Sequence, residues 1–153
     1  MSKIVFVCAG NTCRSPMAEV ILKKRLREKN IQNVEVESAG EYADDGSSMN
    51  ENSVYALREL GYDGFEGFKS RRMCFDIKKS AGVLIYMETF EAWRNAHWNA
   101  KSMHYFTGKG DIEDPYGKSK EEYLKTARQI EYACDKIMEE ILNGEIFKGD
   151  IYK

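Results

Sequence analysis

The chain has 153 residues and a net charge of −2 from 23 basic and 25 acidic side chains, with 42% hydrophobic and 31% charged residues. That length suits one domain over residues 1–153 with a core of its own, and the near-neutral balance gives no general argument for nucleic acid or a membrane as partner. No apolar run approaches the ~20 residues of a membrane span, Met1-Ser2-Lys3 leads straight into a strand pattern, and Cys8, Cys13, Cys74 and Cys134 are too sparse for a disulfide framework, so a cytoplasmic protein with reduced thiols is expected.

Residues 3–7 read as a strand buried on both faces, with four consecutive apolar residues, Ile4 to Val7, ending at Cys8. A loop of small and polar residues follows, and then Ser15 is placed to cap a helix with Pro16 at its first position. Ala18, Ile21, Leu22 and Leu26 give that helix an apolar stripe, lysines and arginines give it a basic outer face, and it should end near Asn30. Val34 begins an alternating stretch that enters Ser38-Ala39-Gly40, a second strand, so residues 3–38 read as one βαβ unit with parallel strands. A polar loop over 41–50 leaves from the same rim as Cys8.

Helices are expected over 52–60, stopped by Gly61, and over 70–80. Residues 83–86 make a third buried strand, 90–98 a helix and 102–106 a fourth strand. After a loop over 107–118, Ser119 and Glu122 form a capping box for the longest helix, 120–142, which Gly144 stops. This alternation predicts an α/β protein, a three-layer α/β/α sandwich around a central four-stranded parallel sheet, with ligands at the carboxyl ends of the strands. Cys74 and Cys134 fall on helical patterns and are expected in the core, whereas Tyr42, Phe65 and Trp98 are candidate exposed aromatics.

The chemistry concentrates after the first strand. Between Cys8 and Arg14 the chain can fold into a ring around one tetrahedral anion, with Gly10 and Asn11 able to take positive φ and turn amides inward. The start of the following helix adds partial positive charge, and the planar fork of Arg14 can hold two phosphoryl oxygens at once. The same surroundings favour thiolate at Cys8, which can attack phosphorus in line and form a phosphocysteine. Departure of an alkoxide or amine needs a proton donor from another loop on the rim. Asp114, stiffened by Pro115 and beside the aromatic Tyr116, is the best placed candidate, with Asp111 and Glu113 as competitors. The cysteines lack zinc-finger spacing, and His97 and His104 are not paired at short helical spacing, so no metal site is expected.

Val7-Cys8-Ala9-Gly10-Asn11-Thr12-Cys13-Arg14-Ser15-Pro16, with the later Asp114-Pro115-Tyr116, resembles the low-molecular-weight protein tyrosine phosphatase family over essentially the whole chain. The resemblance implies Cys8 as nucleophile, Arg14 as phosphate clamp, and Asp114 as general acid and then general base. It implies phosphate or other oxyanions held by Ala9, Gly10, Asn11, Thr12, Cys13 and Ser15, with Tyr116 beside the substrate. Asn11, Ser15 and Ser38 would brace the loop, the Ser15 hydroxyl would stabilise the departing thiolate, and phosphorylated proteins would be the substrates without metal or cofactor. Cys13 either forms a reversible protective disulfide with Cys8 or packs beneath the loop.

Two features depart from tyrosine-specific relatives. Those often carry a supporting histidine where this chain has Gly67-Phe68-Lys69-Ser70, and a second aromatic where it has Gly117. Thr12 matches bacterial relatives that act on phosphoarginine rather than the aliphatic residue of tyrosine-type members, and this tilts the expected substrate slightly toward phosphoarginine. An arsenate reductase on the same fold would need two further neighbouring cysteines to relay a disulfide, and Cys74 has no near neighbour. A phosphocarrier would have no use for the hydrolytic pair Arg14 and Asp114, and an inert binding module would have no use for any of the three residues.

Overall fold

Successive side chains of a strand point to opposite faces, and β1 (Ser2–Cys8) uses both. Ile4, Phe6 and Cys8 enter one apolar layer, Val5 and Val7 enter a second, and all are buried. The structure, a computed structural model, describes residues 2–148. In it β1 pairs in parallel with β2 (Val34–Gly40) and with β3 (Val83–Tyr86), and β3 pairs in parallel with β4 (Ala100–Ser102). The sheet order is β2-β1-β3-β4, the four-stranded parallel sheet expected from the alternation.

Helices α1 (Arg14–Glu28), α2 (Glu51–Glu59) and α6 (Lys120–Leu142) pack on the face of Ile4 and Phe6, and α3 (Phe75–Ser80) and α4 (Thr89–Arg94) cover the face of Val5 and Val7. A short α5 (Met103–Thr107) joins the first layer. The expected apolar stripe of α1 is buried, and its exit is set by Asn30 at φ 54°, with the Ile31 N–H donating to the Leu26 carbonyl and the Asn30 N–H to the Arg27 carbonyl. Ser119 caps α6 by accepting from the Glu122 N–H. The register sets Cys8 opposite Gly40, so β1 and β2 end together on the rim where the loop begins.

Three expected elements are corrected. Only Phe75–Ser80 of the expected 70–80 helix is helical, because the backbone before it bonds elsewhere. Arg71 gives its N–H to Asn11 Oδ1, Arg72 gives its N–H to Asp45, and Arg72 forms a parallel bridge with Gly40. The expected fourth strand at 102–106 is instead helix α5, capped by the Ser102 hydroxyl accepting from the Tyr105 N–H. The strand lies just before it, disguised by Lys101, whose buried ammonium donates to the Ile146 carbonyl and sits 3.8 Å from Glu140. The expected 90–98 helix breaks at the buried Asn95 into α4 and a 3₁₀ turn over Ala96–Trp98. Cys134 is in the core as expected, but Cys74 is exposed. Of the candidate exposed aromatics Tyr42 is exposed, Phe65 is buried and Trp98 is partly covered by the second apolar layer.

Candidate active site

Cys8 ends β1, and the loop after it is pinned from outside by backbone bonds. Glu41 and Tyr42 donate their N–H groups to the carbonyls of Cys8 and Ala9 at 3.0 and 2.9 Å, and Asn50 donates to the Thr12 carbonyl at 2.9 Å. Asn11 takes the positive φ expected of it, 55°, whereas Gly10 does not. That turn aims the Asn11 N–H at Cys8 Sγ, 3.3 Å away. Arg14, not Ser15, begins α1, and Cys13 occupies the cap position without a side-chain bond. Pro16 therefore stands third in the helix, still within the turn where a missing N–H costs nothing. Freed from capping, the Ser15 hydroxyl lies 2.9 Å from Cys8 Sγ.

The buried amide of Asn11 holds that hydroxyl in place. Its Nδ2 donates to Ser15 Oγ at 2.8 Å and to Ser38 Oγ at 2.9 Å, and its Oδ1 accepts from the Arg71 N–H at 2.9 Å. With Ser15 accepting from Asn11, its own hydrogen is available to sulfur, and a thiolate at Cys8 can only accept it. Ser38 in turn donates to Glu19 at 2.6 Å. Arg71 Nε donates to the Ser38 carbonyl, and its Nη2 pairs with Glu37. Burial alone would raise the Glu37 carboxyl, but Arg71 and then Lys3 outweigh it and hold that group below the ordinary carboxylate range. Glu19 and Arg71 thus occupy the supporting role for which no histidine is available, and neither was singled out in the sequence. Both sit in stretches that read as ordinary charged surface.

Arg14 is 2% exposed yet fully paired on one side only. Its Nη1 donates to the Ile112 carbonyl at 2.8 Å and to Glu88 at 3.1 Å. Among the described residues its Nε makes no hydrogen bond, and Nη2 has only Asp114 Oδ2 at 3.8 Å, beyond hydrogen-bond reach. The free edge of the fork is what a tetrahedral anion in the loop would meet. Glu88 is a second residue the sequence did not flag. Its position just past the end of β3, on the rim shared with Cys8, was the available signal.

Geometry separates the three acids. Asp111 accepts from the N–H and hydroxyl of Thr89 at 2.9 and 2.6 Å, which ties it to α4. Glu113 is 89% exposed and pairs with Lys118. Asp114 alone of the three faces Arg14, and its Oδ1 is steadied by the Tyr116 N–H at 3.0 Å. The Tyr116 ring stands exposed beside it. Cys13 is buried with Sγ 3.4 Å from the Tyr123 hydroxyl; burial pushes its thiol up, and the hydrogen bonds to Tyr123 and Thr12 oppose that in part. Tyr123 is likewise raised, by burial and by its bond to Cys13. Cys8 and Cys13 are both free thiols. Thr12 is partly exposed on the loop. Among the described residues no group of His, Cys, Asp and Glu side chains could hold a metal ion.

Residues 3–145 match the family model described as low molecular weight phosphotyrosine protein phosphatase. The chain is 31% identical over 147 residues to the protein-arginine-phosphatase of Geobacillus stearothermophilus, covering 91% of this chain and 95% of that protein. It is also 31% identical over 140 residues to the low molecular weight protein-tyrosine-phosphatase PtpB of Staphylococcus haemolyticus, covering 88% and 96%. Among solved structures it superposes with a TM-score of 0.84 and 27% identity on a variant of the YwlE arginine phosphatase carrying a phosphorylated active-site serine, over 95% of this chain and 99% of that one.

Proposed function

The chain belongs to the low molecular weight phosphotyrosine protein phosphatase family, and from that premise we propose that Cys8, Arg14 and Asp114 hydrolyse a phosphorylated protein side chain in two steps. The observation that carries the assignment is the pairing of Cys8 Sγ with the Ser15 hydroxyl and the Asn11 N–H beside the open edge of Arg14. In the first step the thiolate attacks phosphorus, an S–P bond forms as the bond to the substrate breaks, and Asp114 gives its proton to the leaving group. In the second, Asp114 takes a proton from water, water attacks phosphorus, and the S–P bond breaks to release phosphate and thiolate. The YwlE variant with a phosphorylated active-site serine supports a covalent phosphoenzyme.

Arg14 and the inward amides balance the charge on the phosphoryl oxygens, and the first turn of α1 adds its dipole. These steps use no metal or cofactor. Ala9, Gly10, Asn11, Thr12, Cys13 and Ser15 form the cradle, Tyr116 borders it, and Ser38 supports it through Asn11. Residues 1–153 act as one catalytic domain in this reading. Among the described residues no helix is long and apolar enough to cross a membrane, and a cytoplasmic place of action fits four free cysteines.

The substrates are phosphorylated proteins, with phosphoarginine favoured over phosphotyrosine. The partly exposed Thr12 can offer its hydroxyl to a polar guanidinium, and Gly117 leaves the position after Tyr116 without a second aromatic ring. Comparing kcat/KM on matched phosphoarginine and phosphotyrosine peptides tests this directly. Replacing Thr12 with isoleucine should shift the ratio toward phosphotyrosine by at least about tenfold. An unchanged ratio removes Thr12 as the selector.

The role of Asp114 has its own test. Asp114→Asn keeps the shape and removes the proton, so kcat on a substrate with a poor leaving group should fall about 10²-fold or more. A good leaving group such as p-nitrophenolate should be affected much less. Equal slowing of both series would move the acid to another residue.

A further inference from the structure

Large apolar side chains left in water on the rim of a catalytic loop need a reason, and three aromatic rings here lack one. Tyr42, Phe90 and Trp93 are each more than 60% exposed, at 69%, 62% and 66%. They are neighbours. The Phe90 and Trp93 rings stand 6.0 Å apart, and the Arg94 guanidinium lies 5.8 Å over Phe90 and beside Tyr42. Tyr42 is tied to the loop itself, through its N–H to the Ala9 carbonyl.

The patch runs directly into the crevice beside the nucleophile. That crevice is lined by Cys8, Tyr42, Tyr86 and three carboxylates, Glu41, Glu88 and Glu91, and no basic side chain lines it. Each carboxylate already has a partner within the protein: Tyr86 and Lys78 for Glu41, Arg14 for Glu88, Arg94 for Glu91. When Arg14 turns its charge to a phosphoryl dianion, Glu88 loses part of that compensation. A further cation at this edge would restore it.

We propose that the Tyr42–Phe90–Trp93 patch is a docking surface for the substrate polypeptide, and that it takes an arginine or lysine flanking the phosphorylated residue. The inference rests on the phosphatase reading of the Cys8 loop. With the phosphorylated side chain in the loop, residues one or two positions along the substrate lie within ~7 Å of the mouth along the chain. On this side they meet three carboxylates, of which Glu88 loses compensation when Arg14 engages phosphate, and the Trp93 indole face, which no cation of the described residues covers, the combination that holds a basic side chain by charge and cation–π attraction together.

The test uses four peptides: phosphoarginine and phosphotyrosine versions, each flanked either by arginines or by glutamates. The wild-type enzyme should prefer the arginine-flanked member of a pair by about tenfold in kcat/KM, whichever phosphorylated residue it carries. The double variant Phe90→Ala/Trp93→Ala should lose that preference through KM while turning over p-nitrophenyl phosphate, which is too small to reach the patch, at the wild-type rate. Absence of any flank preference in the wild type overturns the proposal, as does a preference that survives in the double variant. A wild-type protein that fails to turn over p-nitrophenyl phosphate would instead overturn the catalytic reading, so the two failures are distinguishable.

Discussion

Changing Cys8 to serine should cut turnover of p-nitrophenyl phosphate by at least about a thousandfold, because a hydroxyl is a far weaker nucleophile than a thiol and the loop contains no base to ionise it. Among the described residues the groups that hydrogen-bond Sγ are the Ser15 hydroxyl and the Asn11 N–H, both donors to a thiolate. They can stabilise a charge that already exists, but neither can remove a proton from serine. The nearest carboxylate of the mechanism, Asp114, sits across the mouth beside Arg14, where it can protonate a leaving group. Serine is close in size to cysteine and can keep the bond to Ser15. The melting temperature should therefore stay within about 3 °C of wild type, since a near-isosteric change leaves packing intact. Steady-state kinetics and a thermal melt check both parts. Wild-type activity in the serine variant would remove Cys8 as nucleophile.

Gly40→Ala should be the most damaging conservative change outside the loop. A Cβ at this position would lie 2.6 Å from the Ala9 carbonyl oxygen and 2.9 Å from the Asn11 nitrogen. Both are backbone atoms, so no side chain can swing aside. Gly40 cannot retreat either, because its N–H bonds to the Arg71 carbonyl and its own carbonyl accepts from Met73. The loop must move, and the Asn11 N–H and Ser15 hydroxyl move relative to Cys8 with it. A displacement approaching an ångström costs about 10² in rate. The accompanying strain should lower stability by about 1–3 kcal/mol. Gly82→Ala is the matched control. There a Cβ would meet the Phe147 ring at 2.9 Å and the Lys3 carbonyl at 3.1 Å, remote from the loop, so stability should fall while kcat holds. Equal kcat for the Gly40 variant and wild type would show that the loop tolerates the displacement.

Both expectations depend on how the loop is supported, and that is where sequence and structure part company. The proposed nucleophile and phosphate clamp lie close together in the chain, so the Cys8 to Ser15 segment announces itself without any tertiary information. Its supports come from three other segments. Asn11 reaches Ser38, Ser38 reaches Glu19, and Arg71 closes the set through its N–H and guanidinium. Glu19 and Arg71 look like solvated charges in sequence because periodicity records which face a residue occupies, not what meets it there. The same blindness produced the misplaced helix at 70–80. Helical propensity around Ser70 gives way to N–H bonds with Asn11 and Asp45 that a helix would have forfeited. Lys101 hid the fourth strand for a related reason, since its charge is accommodated by the Ile146 carbonyl and Glu140 from the far end of the chain, with the Tyr105 ring beside it.

What the sequence determined by itself was the broad alternation of strands and helices, the parallel sheet they build, and the candidate thiol, guanidinium and acidic loop of the proposed chemistry. Those follow from local pattern: an apolar run ending in Cys8, a fixed spacing to Arg14, and a proline-stiffened Asp114. Tertiary structure alone decided which of three acids faces the guanidinium, that Ser15 serves sulfur rather than the helix cap, and that Glu88 and the Ile112 carbonyl hold Arg14. The physical reason is that a hydrogen bond is specified by two partners. When they lie seventy or a hundred residues apart, as Arg14 does from Glu88 and Ile112, only the folded backbone brings them within 3 Å or so.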